Sequence, residues 1–490
     1  MKKTKIEYWV FFLTLLISLS LFYFTALKHS SDDSYILFRY IDNLASGRGF
    51  VFNVGERVLG ATTPLFTLLA TGVKLVFGQF ETSTIIPILN ILLLSFSSIY
   101  FFRLSRKFFS EKISFFATIV FALDLSKIVP EGMETGLFLL CLFAFLVYLL
   151  EEKNYVSAIL LSLVLLTRPD AGLIAILTFI YWWQRNGFQN AFRYTLTTIA
   201  VALPWLVFST IYFGSFIPQS LLTKFHIKDI VNQPAAQALK VQLSSVSRIY
   251  FGKIFDPNSI VLQVLFNLLP IVILFVVAVR KVLDKKNWII FAIPFVYFVS
   301  YSVSNPVMWP WYISQMEPFW IIISFMGISI FFRKIQSYSW KVALAILIIS
   351  GPLFFWASWT LNKDPGSKMN NVLVADYVRE RMKPGESLGV NNIGVLGYYL
   401  PEIYIVDFFG LTNDYAVDFY PVDGECIDKT RQYNVPPKLV QFKEPDWVVL
   451  AGEGELDPCF IQGAWFKERY TEEMVPGDTG AVVWRKKKNL

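Results

Sequence analysis

The sequence predicts a polytopic α-helical membrane protein of about eleven transmembrane helices, followed by a C-terminal α/β domain outside the cytoplasm. Three observations predict it. Hydrophobic residues make up 55% of the 490 and charged residues only 17%, against about 25% charged in ordinary soluble domains, so a soluble fold could not hide the apolar surface. Apolar runs of membrane-crossing length recur from the N-terminus to about residue 360. The charge density then steps up. Residues 1–361 hold 29 Lys/Arg and 17 Asp/Glu, and residues 362–490 hold 15 and 20, so 46 of 361 against 35 of 129 residues are charged. This divides the chain into a membrane body, 1–361, and a soluble domain, 362–490.

The elements follow in order. Lys2, Lys3 and Lys5 precede Tyr8–Leu27, a run of 20 uncharged residues that suffices to cross about 30 Å of hydrocarbon. The run is longer than a signal-peptide core, and no small-x-small cleavage site precedes Ser30, so it reads as an uncleaved first span with its N-terminus in the cytoplasm. Ten more apolar runs lie near 84–102, 113–130, 134–150, 154–167, 170–184, 191–213, 260–279, 287–304, 313–332 and 339–360. Alternating these spans puts 17 basic residues in cytoplasmic segments, among them Arg103, Arg106, Lys107, Arg280, Lys281 and Arg333; the short outer loops hold only Lys127 and Arg168. That bias fixes the register. It also makes Pro64–Phe77 an interfacial or re-entrant helix, because a span there would turn every later basic loop outward. At Thr167-Arg168-Pro169-Asp170 proline interrupts the apolar stretch, which reads as a hairpin of two short spans or as one long kinked span. The first outer loop is then 28–83, and a long outer loop covers 214–259.

An odd number of spans places 362–490 outside. Its pattern gives a helix at Asn371–Met382 and strands at Ser387–Val390, Ile403–Phe408, Asp446–Leu450 and Ala481–Trp484. Cys426 and Cys459 share this domain and are either a disulfide or two thiols; Cys141 lies in a span. Two histidines and three cysteines leave no His/Cys cluster for zinc or an iron–sulfur centre. The basic excess belongs to membrane topology, so no nucleic-acid partner is expected. No internal repeat of the kind inverted-repeat transporters carry is visible.

The first outer loop opens with Asp32-Asp33-Ser34-Tyr35. Ile36, Leu37, Tyr40, Ile41 and Leu44 fall on one helical face and Arg39, Asp42, Asn43 and Ser46 on another, which predicts an amphipathic helix on the outer membrane surface. The acids at its start read either as helix-capping residues or as a general base facing a lipid-borne substrate.

These residues carry a resemblance. Asp32-Asp33-Ser34-Tyr35, Phe38-Arg39-Tyr40 with Asn43, Gly47 and Gly49, Phe52-Asn53-x-Gly55-Glu56-Arg57-Val58 and Thr63-Pro64-Leu65 resemble one bacterial group of GT-C glycosyltransferases that use polyprenyl-phosphate sugars. The group is similar to the mycobacterial terminal β-1,2-arabinofuranosyltransferase. Further matching pieces follow in order: Gly132-Met133-Glu134-Thr135, Thr167-Arg168-Pro169-Asp170, Tyr212-Phe213-Gly214 with Pro218 and Lys224, Trp311-Tyr312, Gly394-Val395-Leu396-Gly397-Tyr398-Tyr399, and Asp407 with Gly410-Leu411-Thr412-Asn413-Asp414.

The resemblance implies a GT-C fold working on the extracytoplasmic face of a bacterial plasma membrane. It implies inverting transfer, arabinofuranosyl among the candidates, to a glycan or lipid acceptor in cell-envelope biogenesis. Asp32 matches the catalytic acid of the group, and Asp33 is assigned to orient the acceptor or hold a divalent cation; no tightly bound cofactor is implied. The donor's leaving group is already an anionic phosphate, so it calls for cations. Arg168, Lys224 and His226 are assigned to it. Glu134, Tyr35 and Trp309 are assigned to the sugar or acceptor. For these residues the bland readings are an Arg168–Asp170 pair, a solvated Lys224, a helix-capping Glu134 and an interfacial Trp309. The runner-up function is a transporter or flippase of lipid-linked sugars, and a third is a non-catalytic envelope scaffold. The outward position of Asp32, Asp33, Glu134, Arg168 and Lys224 favours one-sided chemistry over transport.

Overall fold

The structure is a computed structural model that describes residues 2–25, 31–227, 237–243, 287–304, 306, 309–334, 366–420, 422, 435–450, 461, 463–476 and 482–487. The expected spans at 260–279 and 339–360, Cys426, Cys459 and the side chain of His226 lie outside these residues.

Along the chain run α1 (Lys2–Thr25), α2 (Asp32–Ala45), α3 (Pro64–Val76), α4 (Thr82–Ser105), α5 (Glu111–Leu125), α6 (Thr135–Leu150), α7 (Asn154–Thr167), α8 (Gly172–Asn186), α9 (Phe188–Phe213), α10 (Gln219–Ile227), α11 (Trp288–Ser304) and α12 (Glu317–Lys334). The C-terminal segment adds α13 (Gly366–Arg381), β1 (Ser387–Val390), α14 (Ile393–Tyr399), β2 (Tyr404–Asp407), α15 (Pro437–Lys443), β3 (Trp447–Val449), α16 (Ala464–Arg469), β4 (Tyr470–Met474) and β5 (Val482–Lys486). Each apolar run expected within the described residues is helical. Among the described residues three helices, α1, α4 and α9, are long and apolar enough to cross a membrane. The interruption at Arg168 ends α7 in extended backbone, with φ −151° and ψ 131°. Helices α7 and α8 are therefore two separate elements of 14 and 15 residues, each about 21 Å long at 1.5 Å per residue.

The chain forms two compact units, and the cut is not a single one at 361. One unit holds 1–27, 86–204 and 234–363; the other joins 28–85 and 205–233 to 364–490. In the first, α1 and α12 pack on α5, α6 on α7, and α11 on α8. Phe101 stacks on Phe121 with ring centroids 4.5 Å apart. A Cβ on Gly136 would come within 2.7 Å of Asn90 Oδ1, so glycine is what lets α6 approach α4 this closely.

In the second unit a five-stranded sheet has the order β2-β1-β3-β5-β4. Strands β2, β1 and β3 are parallel, and β5 and β4 add antiparallel. Its core packs Val406, Phe408, Leu439, Val440, Val448, Phe466 and Trp484. The four expected strands are present. Strand β4 was not expected, because Tyr-Thr-Glu-Glu-Met lies at the sheet edge with a largely exposed pattern and shows no alternation to read.

Helix α2 corrects one expectation. It is not a surface helix with a free polar face, because Arg39 and Asn43 are as buried as Tyr40 and Ile41. Its polar face docks within the second unit, against α14 and α3.

Candidate functional site

The acid pair at the start of α2 belongs to the second unit. Asp32 Oδ2 accepts a hydrogen bond from the Gly394 N–H at 2.9 Å, and Oδ1 accepts from the Val395 N–H at 2.8 Å. These are first-turn N–H groups of α14, which have no partner inside their own helix. Asp32 thus caps a helix 362 residues away in sequence instead of its own. Gly394 is required for this approach, since a Cβ there would lie 1.8 Å from the Asp32 carbonyl oxygen.

Seven residues on, Arg39 grips the other end of α14. Nη1 donates to the Gly397 carbonyl at 2.7 Å, Nη2 to the Ile403 carbonyl at 2.9 Å, and Nε to the Phe52 carbonyl at 2.7 Å. Asn53 bonds both backbone groups of Ile405, at 3.1 and 2.9 Å, and so covers part of the β2 edge. The orientation of Asp32 is therefore set from both ends of α14.

Burial pushes the Asp32 carboxyl up to about 6, against the two backbone hydrogen bonds and with a further push from Asp33. Burial also raises Asp33, while the charge of Lys224 opposes that rise. Lys224 sits on α10, which is anchored by two bonds. The Gln219 N–H donates to the Leu59 carbonyl at 2.8 Å, and Thr223 Oγ1 donates to the Gly410 carbonyl at 2.6 Å. The Gly410 loop is built in turn around the buried Asp407 carboxylate, which accepts from the N–H groups of Phe409, Gly410 and Thr412. Two carboxylates and a lysine are thereby held in one unit by the motif pieces singled out in the sequence. The lysine charge faces Asp33 and partly offsets the acid pair.

Tyr35, on the same helix, is fully buried among Phe38, Tyr398 and Tyr399. It packs as a core residue of this unit.

The other unit holds a buried ionic cluster. Arg168 Nη1 donates to Glu134 Oε1 at 2.5 Å, while Nε and Nη2 form a fork on Asp170 at 3.0 Å each. Asp170 also accepts from Tyr301 at 2.6 Å and Gln315 at 3.0 Å. The pairing with Asp170 is the bland alternative weighed from sequence, and Glu134 adds a second acid to it. A guanidinium between two carboxylates is neutralised in place. Glu134 Oε2 has no hydrogen-bond partner among the described residues. Trp309, 40% exposed, stacks on Trp311 with centroids 5.4 Å apart.

Known structures share this architecture from end to end. ArnT from Cupriavidus metallidurans, solved bound to undecaprenyl phosphate, superposes with a TM-score of 0.61 at 11% identity, covering 98% of this chain and 98% of that one. The oligosaccharyltransferase AglB from Archaeoglobus fulgidus, solved with an inhibitory peptide and a dolichol-phosphate, gives 0.61 at 11% identity over 99% of this chain and 75% of that one. The chain has a GT-C-like fold. ArnT in the apo state agrees, with a TM-score of 0.57 at 12% identity over 97% of each chain. A family profile described as a domain of unknown function, DUF8728, matches residues 363–487. No curated protein matches the sequence.

Sequence reasoning did not single out the partners of Asp32 and the role of Arg39. Their signal lay in the matched pieces, since Gly394-Val395 and Phe38-Arg39-Tyr40 stood among them with no structural role attached.

Proposed function

We propose that the protein is an inverting glycosyltransferase that moves a sugar from a polyprenyl-phosphate donor to a glycan or lipid acceptor on the outer face of a bacterial plasma membrane, with arabinofuranose among the candidate sugars. The observation that carries this reading is the Asp32 carboxylate, half-buried, held by two backbone N–H bonds, raised to about 6 and set beside Asp33, whose charge Lys224 faces. A general base works best with a pKa near the operating pH, and the two backbone bonds leave lone pairs of the carboxylate for a third donor. The GT-C-like fold supports the donor class, because ArnT and AglB were solved with undecaprenyl phosphate and dolichol-phosphate.

The reaction follows from these groups. Asp32 takes the proton of the acceptor hydroxyl as that oxygen attacks the anomeric carbon. The bond from that carbon to the phosphate oxygen breaks, and polyprenyl phosphate leaves as an anion that needs a cation and no protonating acid. Lys224 supplies the cation. Asp33 lies about 100° from Asp32 around the helix and orients the acceptor. A single displacement inverts the anomeric centre.

The test is to incubate the purified protein in lipid vesicles with radiolabelled polyprenyl-phosphate sugars, arabinofuranosyl, mannosyl and glucosyl among them. Release of polyprenyl phosphate coupled to label transfer supports the reading, and persistence in chelator supports a metal-free base. Turnover of no donor by folded protein would overturn it.

A further inference from the structure

A cleft of about 560 Å³ lies at the C-terminal end of α2, within the same unit as Asp32, and the catalytic reading leaves it unused. Its wall includes Asp42, Asn43, Arg48, Lys74, Glu81 and Tyr399. The volume falls in the range of small-ligand sites.

The charges of the wall are largely balanced in place. Arg48 pairs with Glu402 at 3.0 Å. Lys74 lies 3.9 Å from Asp42 and donates to the Phe80 carbonyl at 2.6 Å. An anion entering the cleft would meet Asp42 and Glu81 as well as the cations, so no surplus charge selects it. What the wall offers is alternating hydrogen-bond donors and acceptors with a tyrosine beside them. Asn43, 1% exposed, spends its amide N–H groups on the Val51 and Phe52 carbonyls at 2.9 and 3.0 Å. Its buried Oδ1 has no hydrogen-bond partner among the described residues, an unused acceptor on a residue that lines the cleft. Such a surface suits a ligand made of neutral hydroxyls, each able to donate and accept.

Asp32 and Asp42 are ten residues apart on one helix, so the cleft lies about 15 Å along the axis from the base. A single sugar cannot occupy both places, but a chain can. We infer that the cleft is a saccharide subsite that holds the body of an oligosaccharide acceptor while its terminal hydroxyl reaches Asp32. The inference deepens the proposed function and rests on it for the word acceptor, though saccharide binding by the cleft stands independently.

The test uses full-length protein in lipid nanodiscs and fluorescent arabinan, mannan and galactan oligosaccharides, from di- to hexasaccharides. The variant is Arg48→Ala with Glu81→Ala, at two side chains on the rim, where breaking an exposed ion pair costs little stability. At least one saccharide series should bind wild type, more tightly as the chain lengthens, and the double variant should weaken it tenfold or more. Glu472→Gln, on the exposed edge strand β4 away from the cleft and the site, should bind it as wild type does. In transfer assays the double variant should raise KM for the longer acceptors and leave the donor KM unchanged. Binding by none of the series, binding unchanged in the double variant, or preferential binding of peptides would overturn the inference. If saccharides bind through Arg48 and Glu81 but no donor is turned over, the glycosyltransferase reading fails and the saccharide site remains.

Discussion

Asp32 and Asp33 differ in what they already hold, and that decides how each responds to substitution. Both Asp32 oxygens accept backbone N–H bonds. In Asp32→Asn one oxygen survives, while the amide NH₂ faces a second donor and leaves it unsatisfied, at about 1–3 kcal/mol. This variant should therefore lose some thermal stability as well as its base, and a melting curve measures the first separately. Asp33 makes no such bonds among the described residues, so Asp33→Asn should fold like wild type and be slowed less. The pH dependence follows from the value of about 6 for Asp32. The base acts as a carboxylate, so kcat/KM should be level above about pH 7 and fall about tenfold per unit below about pH 6. A level profile down to pH 5 would exclude Asp32 as the base. Arg168→Ala leaves Glu134 and Asp170 buried without their cation and should cost about 3–5 kcal/mol. Adding Glu134→Gln should recover part of that loss, as denaturant titration would show.

At the scale of elements, the pairing of α2 with α14 sets the site. Gly394→Ala puts a methyl group where the Asp32 backbone stands. Backbone cannot rotate aside, so α14 must move away, and donor turnover should fall at least as far as in Asp32→Asn. Arg39→Met removes three bonds of 2.7–2.9 Å to buried carbonyls and should cost at least about 3 kcal/mol; circular dichroism melts check both. The helices were legible in sequence because apolar runs bounded by charge have few alternatives in a membrane. Four strands were legible as short apolar runs, most of them rich in Val and Ile, between more polar segments. The docking of α2 was not, because a stripe of Arg39 and Asn43 looks the same in sequence whether it faces water or bonds carbonyls across 350 residues. The burial of Tyr35 was not legible for the same reason, since an aromatic beside an acid pair gives no sign of what covers it. Asp32 as a cap was legible in kind but not in partner, since capping arguments reach only along one helix.

For the whole molecule, we propose from the basic-loop bias that residues 362–490 lie outside the cytoplasm. A C-terminal reporter that works only in the cytoplasm should be silent, and a strong signal would invert the expected topology. The unit that joins 28–85 and 205–233 to 364–490 should also behave as one body, with Asp32 and α14 gaining amide-exchange protection together. The central claim is that a carboxylate on α2 drives sugar transfer from a lipid phosphate, and the most direct measurement is single-turnover transfer by Asp32→Asn in vesicles, with donor binding measured on the same sample. The account predicts donor affinity within a few-fold of wild type and transfer slowed by roughly 10²–10⁴-fold. Transfer within a few-fold of wild type by a variant that still binds donor would contradict it.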